Sequence, residues 1–122
     1  MPGPARDFRG HPQPTRKVAV VLSVALYSRV EMFRRENQRN LDNRAHALRD
    51  LVGKGLHAAG RLRHLDPGNY KNTVLDGSKT RTVYPTVSED LYNQVDRFWR
   101  SKDGIEDWSS GFRLLLQLGL GS

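Results

Sequence analysis

The feature that most constrains this chain is an internal repeat, in which a pattern of apolar and helix-capping residues occurs twice. In the first block the matched residues are 65 positions apart, and in the second block they are 64 positions apart. A duplicated element that cannot bury its own apolar face packs against its copy, so the repeat predicts two units sharing one core. The pairs of the first block are Ser23 and Ser88, Leu26 and Leu91, Tyr27 and Tyr92, Val30 and Val95, and Phe33 and Phe98. Those of the second block are Leu41 and Ile105, Leu48 and Phe112, Leu51 and Leu115, Val52 and Leu116, Gly55 and Gly119, and Leu56 and Leu120.

Length and charge limit the classes of protein to which the chain can belong. With 122 residues and 37% hydrophobic content, the chain can form one modest core, and we expect a single domain. The formal net charge of +7 favours a polyanionic partner such as nucleic acid, although it is also compatible with general solubility. The absence of cysteine excludes a disulfide framework and a thiolate nucleophile.

Each copy follows the same predicted order of a short strand, a capped helix, a polar turn and a second amphipathic helix. The strands are predicted over residues 16–22 and 80–87, and Ser23 and Ser88 are the predicted caps of the helices that follow. Asp42 or Asn43 is expected to cap the second helix of the first copy, and Asp107 that of the second copy. We expect a flexible Pro-rich arm over 1–14 and a single domain over 15–122, made of repeats 15–57 and 79–121 with a linker over 58–78.

This order of elements resembles the ribbon-helix-helix family of DNA-binding proteins, most clearly over residues 83–120. The resemblance implies an α+β, mostly α fold in which two strands pair as an antiparallel ribbon over four main helices. Because one chain carries both copies here, the expected form is a tandem ribbon-helix-helix pseudodimer that is a monomer in solution. Members of this family place the ribbon in the DNA major groove.

Strand alternation predicts which side chains of the ribbon face outward, since neighbouring residues point to opposite faces and the caps fix the phase. Hydroxyl groups on the outward face could bond base edges or phosphates, whereas small apolar groups could only contact thymine methyls. The predicted inward residues are Val18, Val20, Leu22, Val83, Pro85 and Val87. The predicted outward residues are Lys17, Ala19, Val21, Thr82, Tyr84 and Thr86.

The resemblance also implies phosphate contacts at the start of the second helix of each copy, where backbone N–H groups are free. The residues at these positions are Asn43 and Arg44 in the first copy, and Trp108 and Ser109 in the second. Arg16, Lys79 and Arg81 flank the strands and are expected to extend the contact with DNA.

A single chain with two copies and a Pro-rich leading segment is most similar to family members that act as accessory factors in T-DNA processing and plasmid transfer. The resemblance implies a double-stranded DNA partner near a border or enhancer site, a ParA-like ATPase and a relaxase as further partners, and a bacterial cytoplasmic location. Two alternatives remain open. One is a ribbon-helix-helix transcriptional repressor, and the other is a protein-interaction module that recruits the ATPase or relaxase.

The sequence offers little support for an enzyme or a metalloprotein. The four histidines are scattered without cysteine or carboxylate partners at ligand spacing, and no Gly-rich loop with a following Lys-Ser or Lys-Thr occurs. We therefore expect no catalytic residues, no metal and no cofactor. The longest apolar run, over 18–26, is too short to span a membrane.

Overall fold

The computed structural model describes residues 14–37, 43–62, 65 and 79–121. In these residues the fold is α+β and mostly helical, with four helices and two antiparallel two-stranded sheets. None of the described helices is both long and apolar enough to cross a lipid bilayer. The predicted arm, apart from Pro14, and most of the predicted linker lie outside the described residues. The elements are β1 (Thr15–Lys17), β2 (Val20–Ser23), α1 (Val24–Glu36), α2 (Arg44–Gly60), β3 (Thr80–Val83), β4 (Thr86–Ser88), α3 (Glu89–Arg100) and α4 (Trp108–Leu120).

The strands form two short ladders in one common register. Strand β1 pairs with β4 and β2 pairs with β3, and the residue numbers of every pair in both ladders have the same sum. Between the ladders the amide of Val18 donates to the carbonyl of Pro85 at 3.0 Å. Proline has no N–H to return a hydrogen bond, which explains why the predicted single ribbon is interrupted at this point.

Each helix begins at a polar side chain that accepts a hydrogen bond from a backbone amide of the first turn. Ser23, Ser88 and Asp107 confirm the predicted caps, and Asn43 is the cap of α2. The acceptor-to-amide distances lie between 2.8 and 3.1 Å. The amides that donate are those of Leu26, His46, Leu91 and Ser110.

Helix α2 continues beyond the predicted end of the first repeat at residue 57 and ends at Gly60. Alanine has the highest helix propensity, and Ala58 and Ala59 also pack against the core. The favourable packing of these two residues extends the helix into the segment that the sequence predicted as linker.

The core is centred on α4, which is buried from Ser110 to Gly119 and packs along α2. Two glycines allow the backbones of these helices to touch. A Cβ atom at Gly55 would collide with the carbonyl group of Leu115, and a Cβ atom at Gly119 would collide with that of Leu51. The glycine pair found in the repeat therefore permits the close crossing of α2 and α4.

Burial along the strands confirms the predicted alternation. The predicted inward residues are buried, except that Val18 is half-buried. The predicted outward residues are exposed, except that Val21 is half-buried. One face of the two ladders therefore covers the helices and the other is open to solvent.

We predict that Gly55→Ala destabilises the protein by about 1–3 kcal/mol, because the added methyl group forces the α2 and α4 backbones apart. Gly53→Ala, in the same helix, is the matched control. Open space surrounds Gly53, so the methyl group should stabilise the helix by up to about 1 kcal/mol. Urea unfolding of the two variants measures both effects. Equal free energies of unfolding for the two would contradict the close crossing.

Candidate nucleic-acid interface

The solvent-facing side of the ladders brings together all six residues that the sequence predicted to point outward. Lys17, Thr82 and Thr86 present an ammonium group and two hydroxyl groups, which can donate hydrogen bonds to acceptors on a ligand. Tyr84 adds an aromatic ring to this face, with 62% of the residue's surface exposed. Ala19 and Val21 add a small apolar area, so this face combines donors with apolar groups.

One arginine on α2 and one on α4 donate hydrogen bonds to the backbone of this ribbon. Arg49 donates to the carbonyl of Thr86, and Arg113 donates to the carbonyl of Val21, both at 2.9 Å. The arginines are 64 positions apart and their acceptors are 65 apart, so the two bonds join equivalent positions of the repeat. Sequence reasoning missed them, although the repeat spacing was a signal that could have found them. Both hydrogen bonds tie the ribbon to the helices below it.

Arg113 differs from Arg49 in that it is buried. Arg113 is only 5% exposed, and burial lowers the pKa of its guanidinium, an effect that the nearby carboxylates of Asp107 and Glu106 oppose. Arg113 also donates to the hydroxyl of Ser110 at 2.9 Å. A buried arginine with these acceptors serves to position the ribbon rather than to meet a ligand.

One end of the ribbon, which we call the Tyr27 end, consists of Tyr27, Glu31, Arg34, Arg44 and Arg81. The guanidinium carbons of Arg44 and Arg81 both lie 5.0 Å from the centroid of the Tyr27 ring. Glu31 accepts hydrogen bonds from Arg34 and Arg44. This end therefore carries three arginines and one carboxylate, and Arg81 has no bond to that carboxylate, which leaves the end positively charged.

The electrostatics of Glu31 reflect its two arginine partners. Burial by itself would raise the pKa of Glu31, but the hydrogen bonds from Arg34 and Arg44 outweigh it and hold the pKa below its ordinary value. The carboxylate is therefore ionised at neutral pH and fixes the start of α2 against α1.

The opposite end, which we call the Tyr92 end, consists of Arg16, Glu89, Tyr92 and Trp108. The guanidinium carbon of Arg16 lies 4.1 Å from the centroid of the Tyr92 ring, and the Trp108 ring stacks on Tyr92 with centroids 4.9 Å apart. Arg16 also donates to both carboxylate oxygens of Glu89, at 3.1 and 3.4 Å. The hydrogen bond to Glu89 is the main cause of a raised pKa for Arg16. One arginine is thus neutralised by one carboxylate at this end.

Arg16, Lys79 and Arg81 were predicted to flank the strands, and the alternation of inward and outward residues did not predict where their side chains lie. Arg16 and Arg81 have the strand phase of the inward residues, and their exposed side chains lie over tyrosine rings of the helices. Lys79 is exposed next to β3, and its carbonyl accepts a hydrogen bond from the amide of Val24. These cations therefore lie at the two ends of the ribbon and not on its outward face.

The residues predicted at the helix starts differ in character. Asn43 and Arg44 are exposed at the start of α2, whereas Trp108 and Ser109 are half-buried at the start of α4. The indole N–H of Trp108 donates to the carbonyl of Tyr92 at 3.1 Å. The Trp108 side chain is therefore engaged inside the protein, while that of Arg44 lies at the surface.

A cleft of about 420 Å³ opens at the Tyr27 end, between the ribbon and the start of α2. Its walls carry two guanidinium groups and two hydroxyl-bearing aromatic rings, so it can accommodate an anionic group. The lining includes Tyr27, Arg44, Leu48, Arg81, Thr82 and Tyr84.

Comparison of the chain with family models, with curated proteins and with solved structures found no match.

We predict that Glu31→Gln lowers the stability at pH 7 by about 0.5–1 kcal/mol, the size of a solvent-screened ion pair. A carboxylate with a lowered pKa stabilises the folded state above its unfolded pKa, and this contribution is lost as the pH falls through the folded pKa. The difference between wild type and variant should therefore shrink as the pH falls well below 4.5, the ordinary pKa of this group. Urea unfolding between pH 7 and pH 3 measures it, with the exposed Glu36→Gln as control. A difference that is unchanged at pH 3 would be inconsistent with the ion pair.

Proposed function

We propose that this protein binds double-stranded DNA through the outward face of its ribbon, as a tandem ribbon-helix-helix pseudodimer contained in one chain. The observation that carries the proposal is the exposed face bearing Lys17, Thr82, Tyr84 and Thr86, next to the positively charged Tyr27 end. A two-stranded ribbon of this kind fits the width of the DNA major groove.

The strand register supports the pseudodimer. If a two-fold axis relates the two strands, equivalent residues of the repeat face each other at that axis. The axis must therefore pass between a residue and the residue 65 positions later in the chain. The common register of the two ladders puts the axis between Ala19 and Tyr84, which are 65 positions apart. The strand pairing therefore has the symmetry that two copies of one unit would have.

Three pairs of contacts support the same relation, because each joins equivalent positions of the two copies. Gly55 packs on the Leu115 backbone as Gly119 packs on that of Leu51. Arg49 bonds Thr86 as Arg113 bonds Val21. Arg81 lies over Tyr27 as Arg16 lies over Tyr92. These matched contacts reach from the helix crossing to both ends of the ribbon.

The chemistry of the ribbon face suits a duplex. The threonine hydroxyls and the ammonium group can bond base edges or phosphate oxygens, and Ala19 and Val21 can contact thymine methyl groups. The net charge of +7 supplies the sequence-independent attraction that provides a large share of the affinity of DNA-binding proteins. We expect phosphate contacts to provide most of the affinity and the ribbon face to provide the base contacts.

The family resemblance suggests a biological role for this binding. In this proposal the DNA-bound chain is a non-enzymatic accessory factor in T-DNA border processing or plasmid transfer. It would assist a ParA-like ATPase and a relaxase at a border or enhancer site. The mixed character of the ribbon, with hydroxyl groups on one strand and mainly apolar groups on the other, suits an asymmetric site.

We predict that the triple variant Lys17→Ala, Thr82→Ala, Thr86→Ala binds duplex DNA at least about tenfold more weakly than wild type, because it removes the donors of the ribbon face. All three side chains are exposed, so the fold should be retained. Fluorescence anisotropy with a 24-bp mixed-sequence duplex at several salt concentrations measures the affinity. Lys54→Ala, which removes the same charge from the outer side of α2, is the control.

Two results would argue against the proposal. Undetectable binding of the wild-type chain to the duplex at about 50 mM salt would refute DNA binding, since electrostatic affinity is strongest at low salt. If the triple variant bound DNA like wild type but failed to bind the ATPase or relaxase, the ribbon would be a protein-interaction surface instead.

A further inference from the structure

The two ends of the ribbon occupy equivalent positions of the repeat, but they differ in charge. Arg44 at the Tyr27 end corresponds to Trp108 at the Tyr92 end, because these residues are 64 positions apart. Val24 corresponds to Glu89 at an offset of 65. Compared with the Tyr27 end, the Tyr92 end therefore lacks a positive charge, because Trp108 takes the place of Arg44. It also gains a negative charge, because Glu89 takes the place of Val24.

At the Tyr27 end the arginines are held in a geometry that leaves them able to bind an anion. A guanidinium group packed over an aromatic ring keeps its N–H donors in its own plane, where they can meet a phosphate. Among the described residues Arg81 forms no salt bridge, and Arg44 shares the single carboxylate of Glu31 with Arg34. Both arginines line the cleft of about 420 Å³.

At the Tyr92 end the corresponding arginine already has an anionic partner. Both the Nε and an Nη atom of Arg16 donate to the two carboxylate oxygens of Glu89. The place of the second arginine is filled by Trp108, which stacks on Tyr92 and on Phe112. The helix start next to it is capped by the carboxylate of Asp107, where α2 has the neutral side chain of Asn43. A phosphate would meet the neutralised pair of Arg16 and Glu89 here, together with the carboxylate of Asp107.

We propose that the cleft lined by Tyr27, Arg44 and Arg81 is a phosphodiester-binding site, and that the equivalent Tyr92 end does not bind phosphate. This inference rests on the proposed DNA binding and adds to it that the electrostatic contact with the duplex is one-sided. Arg44 and Arg81 bind the backbone phosphate, and Glu89 holds Arg16 away from the DNA.

The test is the salt dependence of DNA binding, because each phosphate contact contributes about one to the slope of log affinity against log salt concentration. Wild type and single variants of the full chain are titrated against a 24-bp mixed-sequence duplex between about 50 and 200 mM salt. Arg44→Ala and Arg81→Ala should each lower the magnitude of the slope by about one, and Arg16→Ala by less than half as much.

A second pair of variants tests the role of Glu89 without removing any arginine. Glu89→Gln should release Arg16 and raise the magnitude of the slope by about one. Asp90→Asn is the matched control, because it removes the same charge at the neighbouring position of α3 but leaves the pair of Arg16 and Glu89 intact. Asp90→Asn should therefore change the slope by less than half as much.

The outcomes separate this inference from the proposed function. If wild type binds DNA and Arg16→Ala lowers the slope as much as Arg81→Ala does, the ends are equivalent and the inference is overturned. Equal effects of Glu89→Gln and Asp90→Asn would overturn the role given to Glu89. If wild type does not bind the duplex at all, the proposed function itself fails, and the phosphodiester site fails with it.

Discussion

The structure depends on the pairing of residues 15–23 with residues 80–88. Neither segment has any other strand partner within the described part of the chain. Their pairing decides which face is covered by the helices and which is open to solvent. It also brings Arg81 to Tyr27 and Arg16 to Tyr92, so that each end of the ribbon is built from both halves of the sequence.

The features that follow from local physics could be predicted from the sequence. A serine before an apolar helical stripe predicts a helix cap, as Ser23 and Ser88 show. Alternation predicts which face of a strand is buried, as the buried valines of the strands show. The interruption of the ribbon was missed, although the lack of an N–H in Pro85 gives it a local cause. The length of α2 was underestimated because the alanines at its end were not counted as helix formers.

The features that follow from long-range contacts could not be read from either copy alone. The bonds of Arg49 and Arg113 to the opposite ribbon strand, and the arginine and tyrosine pairs, exist only after the two halves pair. The charge difference between the ends required knowing that Arg44 and Trp108 take equivalent places beside their tyrosines. In a chain that carries both copies, the core positions stay alike in kind while the end positions are free to differ. A symmetric dimer of identical chains could not differ in this way.

The most direct test of the proposed DNA binding is to map the contact surface by the amide chemical shifts of the ¹⁵N-labelled protein during titration with a 16-bp duplex. The largest shifts should fall on Lys17, Ala19, Thr82, Tyr84 and Thr86, with a second group near Arg44 and Arg81. Residues on the outer side of α2 and at its C-cap, such as Lys54 and Arg61, should change little. Shifts confined to the outer side of α2, or none at all with excess duplex at low salt, would contradict the ribbon as the DNA-binding surface.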